Sequence, residues 1–423
     1  LLRSVIIFMN PFEQKPLCID DTIMNWEKLY PKSYNKCDVN PYTKTRIILM
    51  NGTEFEANWF SHQFSRNCKN NDIRREIAVT RRIEKQQQML IQNLKPINEN
   101  ILETTISYEQ LAVDLTARLA QNEPDTNVRN ALNFALLEDF DHLYRYSNLL
   151  ELEYKILPEK LVGRYTEIMP ARPTISHHRD PKDSIKCYTC KDAELITKLN
   201  VNIITAAEQQ TMNYYMNVGG FYTSDIGRKL YQEIGLVEED HVTQYGSLID
   251  PTQTWLENLL MHEYTECYLY YSCFNDETDP YIKKIWERFF EFEIVHLHRA
   301  CDLLKKYEGK EWQQIIPNGN FPKLLCLGPN IEYVRDVLKN TVNFTDVRES
   351  YAPVCELPED FDFFTYQKIV NNDVCQVPSH MIINEYICNK GIDYRFEVAP
   401  NPILELRDRK CDNVCVGRQP LCK

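Results

Sequence analysis

The sequence predicts a mainly α-helical protein: a four-helix core around a buried set of carboxylates and imidazoles, an extra N-terminal helical hairpin, and smaller flanking regions of mixed or irregular structure. Three observations predict it. Glycine is scarce, 12 residues in 423, which disfavours a fold rich in tight turns. Residues 98–308 read as successive long helices separated by proline-bearing or polar breaks. Within them, a glutamate recurs thirty positions ahead of a carboxylate that is followed three residues later by histidine.

The chain is long enough for two or three domains. Segments 1–97, 98–309 and 310–423 differ in character. In the first, Arg46 to Met50, Asn51-Gly52 and Thr53 to Ala57 read as a β-hairpin with a tight turn. Asp72 to Leu94 then reads as a polar helix ending before Pro96. Residues 1–8 are apolar but too short for a secretory leader, and Met9-Asn10-Pro11 reads as a more natural start.

In the second segment, helices are expected over Asn100–Asn122 and Thr126–Ile156. A proline-bearing linker follows at 157–190. The next helices are expected over Ala193–Val218, stopped by Gly219-Gly220, and over Ser224–Leu248. Asp250-Pro251 and Asp279-Pro280 each read as an N-cap followed by proline, opening helices over 251–274 and 280–308, and Gly309 sits where a C-terminal cap belongs. The third segment holds seven of the fifteen cysteines, and one helix is expected there, Pro329 to Leu338.

A net charge of −13 without a basic run excludes a nucleic-acid role. No apolar run reaches the roughly 18 residues that span a bilayer. An odd number of scattered cysteines, 15, fits reduced thiols and a cytoplasmic setting.

The chemistry is expected from the repeat. Of nine histidines, three follow a carboxylate by three residues: Asp139/His142, Glu238/His241 and Glu293/His296. Glu109, Glu208 and Glu263 stand thirty positions before these carboxylates, each in the first helix of a predicted hairpin. Side chains at i and i+3 share a helix face, and the first helix of a hairpin returns its glutamate to the same level. Two such hairpins would gather Glu208, Glu238, His241, Glu263, Glu293 and His296 around one point. That donor set suits two iron ions, with manganese as the alternative. Without cations, so many buried carboxylates would be very costly. Aspartate is one methylene shorter than glutamate, so the hairpin with Glu109, Asp139 and His142 is read as a structural repeat packed on the bundle.

The run Ala206-Ala207-Glu208 … Gly235-Leu236-Val237-Glu238-Glu239-Asp240-His241, with Glu263 … Glu293-Ile294-Val295-His296, resembles rubrerythrins and the wider ferritin-like superfamily. The resemblance implies a ferritin-like bundle with a non-haem di-iron centre that reduces peroxide or dioxygen, and self-association. Rubrerythrins usually add a domain with two Cys-x-x-Cys pairs. Only Cys187-x-x-Cys190 has that spacing here, so the electron donor is expected outside the chain. Tyr215 and Tyr270 lie seven residues after Glu208 and Glu263, two turns along the same face, and are candidates to donate a hydrogen bond or an electron. Glu266 is a candidate to join Glu263, and Asp240 to orient His241. Glu239 and His298 should point away. His177-His178-Arg179-Asp180 reads as a solvated loop, and Cys187 and Cys190 as free thiols. Three functions remain open: a rubrerythrin-like peroxidase or oxidase, a di-iron oxygenase acting on an organic substrate, and a non-enzymatic metal-binding or structural bundle.

Overall fold

A computed structural model describes residues 9–162, 165–172, 179–184, 192–391, 393 and 395. The chain is mainly helical. In order, α1 spans Ile19–Thr22, α2 Pro41–Asn67, α3 Asn71–Gln92, α4 Ile101–Asn122, α5 Thr126–Tyr154, α6 Glu159–Val162 and α7 Leu195–Phe221. Then come α8 Asp225–Gly246, α9 Trp255–Asp276, α10 Pro280–Glu308, α11 Ile331–Thr341, α12 Asp362–Val370 and α13 Pro378–Lys390. Among the described residues the strands are β1 (Phe344–Val347) and β2 (Ser350–Pro353), an antiparallel pair with Phe344 opposite Pro353.

Side-chain caps start most of the long helices by satisfying backbone donors that a first turn leaves unpaired. Asn40 accepts from the Tyr42 amide ahead of α2, Asn70 from Asp72 and Ile73 ahead of α3, and Asp125 from Asn127 and Val128 ahead of α5. Asn100/Glu103 and Thr254/Glu257 form reciprocal capping boxes on α4 and α9. Asp279 caps α10 with Pro280 at its first position, and Gly309 ends it at φ +66°, both as the sequence predicts.

Three local expectations are overturned. The β-hairpin expected over 46–57 is the interior of α2. Asn51 and Gly52 are buried inside it, and the Asn40-Pro41 start commits the segment to helix before the Asn-Gly pair is reached. Gly219 and Gly220 do not stop α7, which runs to Phe221. A Cβ on Gly219 would lie 3.2 Å from the Tyr231 Cβ, and one on Gly235 3.1 Å from the Met216 sulfur. These glycines therefore let α7 and α8 approach closely. Asp250 makes a turn by accepting from Thr252, and α9 begins later, where the Thr254 box satisfies the first amides.

The described residues fall into two units that are not the three consecutive segments expected. Unit 1 is drawn from Leu1–Asn98, Lys191–Ala206 and Asp250–Leu327, and unit 2 from Glu99–Cys190, Ala207–Ile249 and Gly328–Lys423. In unit 1 the α2–α3 hairpin packs on the α9–α10 hairpin. Arg46 on α2 ties them by pairing with Glu277, which caps the end of α9, at 2.9 Å. Unit 2 combines the α4–α5 hairpin with α8 and the C-terminal half of α7. Its core includes Leu136, Phe140, Leu143, Tyr215, Tyr231 and Ile234. The C-terminal region belongs to this unit: α13 packs on α5 and α8, Tyr386 donates to Glu151 and Ser379 to Glu233. The hairpin with Glu109, Asp139 and His142 is thus one half of unit 2, not an addition to a completed bundle.

Candidate metal centres

In unit 2, α4 carries Glu109, α5 carries Asp139 and His142, α7 carries Glu208, and α8 carries Glu238 and His241. All six are at most 1 % exposed. Their ligand atoms form two groups, each within 4.8 Å: Asp139, Glu208, Glu238 and His241, and Glu109, His142 and Glu238. Glu238 belongs to both. One of its oxygens lies 3.1 Å from His142 Nδ1 and the other 2.9 Å from His241 Nδ1. His241 Nδ1 is also 3.3 Å from Asp139 and 3.9 Å from Glu208.

The opposite nitrogen of His241 meets a carboxylate outside the ligand groups. Its Nε2 is 2.7 Å from Glu138, which is also faced by Arg172 at 3.7 Å and Arg179 at 3.4 Å. A carboxylate on the far nitrogen fixes a ligand imidazole's orientation and tautomer. Asp240, the expected orienter, is buried near Arg179 instead, and burial first, then surrounding carboxylates, raise it to about 7 despite that arginine. Arg179 itself is fully buried, not part of a solvated loop. His177, His178, Cys187 and Cys190 lie outside the described residues.

Burial and neighbouring negative charge push Glu109 and Asp139 well above the usual carboxylate range and Glu208 to about 7. Burial also opposes charge on Glu238, but hydrogen bonds to His142 and His241 hold it well below that range. Neither oxygen of Glu208 has a hydrogen-bond partner, nor do Glu109 Oε2 and Asp139 Oδ1. Buried unpaired polar atoms of this kind are rare in folded proteins. Divalent cations would replace the protons and satisfy those oxygens, so the donor set fits a metal.

Glu263, Glu293 and His296, expected to complete the same site, belong to unit 1. There α2 and α3 complete them with Glu54, Glu84 and Gln87. Glu54 precedes Glu84 by thirty positions, and Gln87 follows Glu84 by three. The single site expected from Glu208, Glu238, His241, Glu263, Glu293 and His296 is therefore replaced by two clusters. His296 Nδ1 lies 3.0 Å from Glu293 and 3.8 Å from Glu263. Two ligand groups occur here also: Glu84, Glu263 and His296, and Glu263, Glu266 and Glu293. Burial and negative neighbours raise Glu54, Glu263 and Glu266 well above the usual range. Burial likewise takes Glu84 to about 7. The buried clusters of both units could hold metal ions.

Both tyrosines take the same place in their units. Tyr215 donates to Glu109 at 2.6 Å, and Tyr270 donates to Glu54, each reaching the first-helix glutamate of the facing hairpin. Glu239 is exposed and His298 half-buried, as their helical phase predicts.

No protein-family model, curated protein or solved structure matches this chain.

Glu54, Glu84, Gln87 and Glu138 are not among the site residues that the sequence predicts. The thirty-residue spacing from Glu54 to Glu84 was visible. Gln87 in the histidine position and an apparent turn at Asn51-Gly52 concealed it. Nothing local marked Glu138, because its role depends on His241 from another hairpin.

Proposed function

We propose that unit 2 holds two metal ions, iron or alternatively manganese, between Glu109, Asp139, His142, Glu208, Glu238 and His241, in a ferritin-like site. The proposed function is rubrerythrin-like reduction of peroxide or dioxygen. The observation that carries this reading is Glu238, whose two oxygens lie between two imidazoles and are shared by both ligand groups. A carboxylate so placed is suited to bridge two cations.

Two adjacent ferrous ions, when bound, would supply one electron each, matching the two electrons that peroxide reduction needs. The chain's own residues prepare the site. Glu109, His142 and Glu238 would hold one ion, and Asp139, Glu208, Glu238 and His241 the other. Glu138 orients His241 through Nε2. Tyr215 donates to Glu109 and holds one of its oxygens in place. A cavity of about 300 Å³ in unit 2, lined by Asn127, Asn130, Asn133, Phe134 and Tyr351 among others, includes none of the six ligands.

The test is anaerobic iron loading of the whole chain, desalting and elemental analysis, beside Glu238→Ala. The expected result is two fewer ions per chain in the variant and loss of peroxide-driven oxidation of the iron. Equal metal in both proteins would defeat the proposal.

A further inference from the structure

The cluster in unit 1 does not repeat that of unit 2. Glu54, Glu84, Glu263, Glu266 and Glu293 are at most 2 % exposed, and His296 stands among them at 1 %. A second imidazole would be expected three residues after Glu84, where His142 stands after Asp139. That position is Gln87.

The two sides of this cluster differ in what they offer a cation. On the Gln87 side, one oxygen of Glu54 and one of Glu293 already receive hydrogens, while Glu54 Oε2 and Gln87 Oε1 are left without a partner. Gln87 Nε2 donates to Glu54 Oε1 at 3.0 Å and to Glu293 Oε1 at 2.6 Å, and Tyr270 also donates to Glu54. Gln87 turns to both carboxylates its amide nitrogen, which has only hydrogens to give and no free lone pair for a metal. On the His296 side more donor atoms stand open to a cation. Glu84 Oε2, Glu263 Oε2, both Glu266 oxygens and His296 Nε2 are buried without a hydrogen-bond partner. Glu84, Glu263 and His296 bring ligand atoms within 4.8 Å of one another. The same three residues line a cavity of about 10 Å³, about the space one water-sized occupant requires.

We propose that unit 1 is a second metal site of different nuclearity: it holds one divalent transition-metal ion between Glu84, Glu263 and His296, and Gln87 closes the adjoining position. Two carboxylates and one imidazole form a mixed oxygen–nitrogen set that suits manganese, iron, cobalt or zinc better than calcium. Glu266 and Glu293 form a separate ligand group with Glu263. A lone ion passes electrons one at a time, so unit 1 does not duplicate the two-ion centre proposed for unit 2. Ile83 stands before Glu84 where Glu138 stands before Asp139, and the carboxylate that orients His296 is Glu293, 3.0 Å from its Nδ1.

The site is tested on the whole chain loaded anaerobically with manganese(II) alone, desalted, and read by elemental analysis and electron paramagnetic resonance. Wild type is expected to hold three ions: an exchange-coupled pair and one isolated ion with a six-line spectrum. Glu238→Ala/His241→Ala is expected to lose the coupled pair and keep one ion per chain with the six-line spectrum. Adding Glu263→Gln to it should remove that last ion. Adding Gln87→His instead should raise the count from one to two and restore a coupled spectrum. A wild-type spectrum without an isolated ion, or a Glu238→Ala/His241→Ala chain that is helical by circular dichroism but holds no ion or a coupled pair, would overturn the proposal. Failure of the unit 2 reading looks different: wild type and Glu238→Ala/His241→Ala would then hold the same single ion.

Discussion

Glu138 shows how much depends on one side chain that is not itself a proposed ligand. Burial alone would push its carboxyl up, yet Arg179, His241 and Arg172 hold it below the usual range. It is therefore an anion in the folded protein and gives His241 Nε2 a fixed partner at 2.7 Å. Glu138→Gln keeps the shape and removes the charge. The expected result is a loss of about 10–100-fold in metal affinity at unit 2, measured by competition with a chromophoric chelator, while helicity is unchanged. An unaltered affinity would show that Glu138 serves the arginines alone. Glu208 and Glu138 also illustrate what could be read from sequence at this scale. Glu208 lies on a repeat with fixed spacing. Glu138 has meaning only beside Arg172, Arg179 and His241, which come from other segments.

Among the elements, the joint between α2 and α9 carries a pH dependence. Glu277, at the end of α9, accepts from Arg46 on α2, from Thr43 at 2.7 Å and from Trp286 at 3.2 Å. Burial opposes its charge, but the Arg46 hydrogen bond and charge win and lower its pKa. A carboxyl with a lowered folded pKa adds stability that is complete above the unfolded value, about pH 4–5, and is lost as pH falls through the folded one. Arg46→Met leaves Glu277 charged and buried without its partner. That is expected to cost about 3–5 kcal/mol near neutral pH and less in acid, where Glu277 can take up a proton. Urea denaturation of both proteins at pH 7 and pH 4 checks the sign. A penalty that grows on acidification would refute it. The same joint explains why 46–57 is helix: Arg46 reaches Glu277 from the first turns of a helix begun at Asn40, which no local strand propensity records.

For the whole molecule, metal is expected to act as a folding ligand. Each cluster concentrates carboxylates that burial alone raises toward protonation, and a cation bound only to the folded chain stabilises it by mass action. At a free metal concentration about 1,000-fold above Kd, the gain is about 4 kcal/mol per independent site. Chelation of the loaded chain should therefore lower its melting temperature, read by circular dichroism at fixed ionic strength. The shift should be smaller in Glu238→Ala and smallest when Glu263→Gln is added. An equal chelator effect in all three chains would sever the link between these clusters and stability.

The sequence by itself determined the long helices from α3 onward, the Asp279-Pro280 start, the Gly309 end, and the thirty-residue step from a first-helix glutamate to a second-helix carboxylate. These features are local: caps, turns and the 3.6-residue period act within one hairpin. Only the tertiary structure decided which hairpins meet. The first, with Glu54 and Glu84, packs with the last, and the second, with Glu109 and Asp139, with the third. Every hairpin presents a similar polar stripe to its partner, so the ligands cannot discriminate among pairings. The choice rests on nonlocal contacts instead: the Arg46–Glu277 joint between α2 and α9, and α13 against α5 and α8.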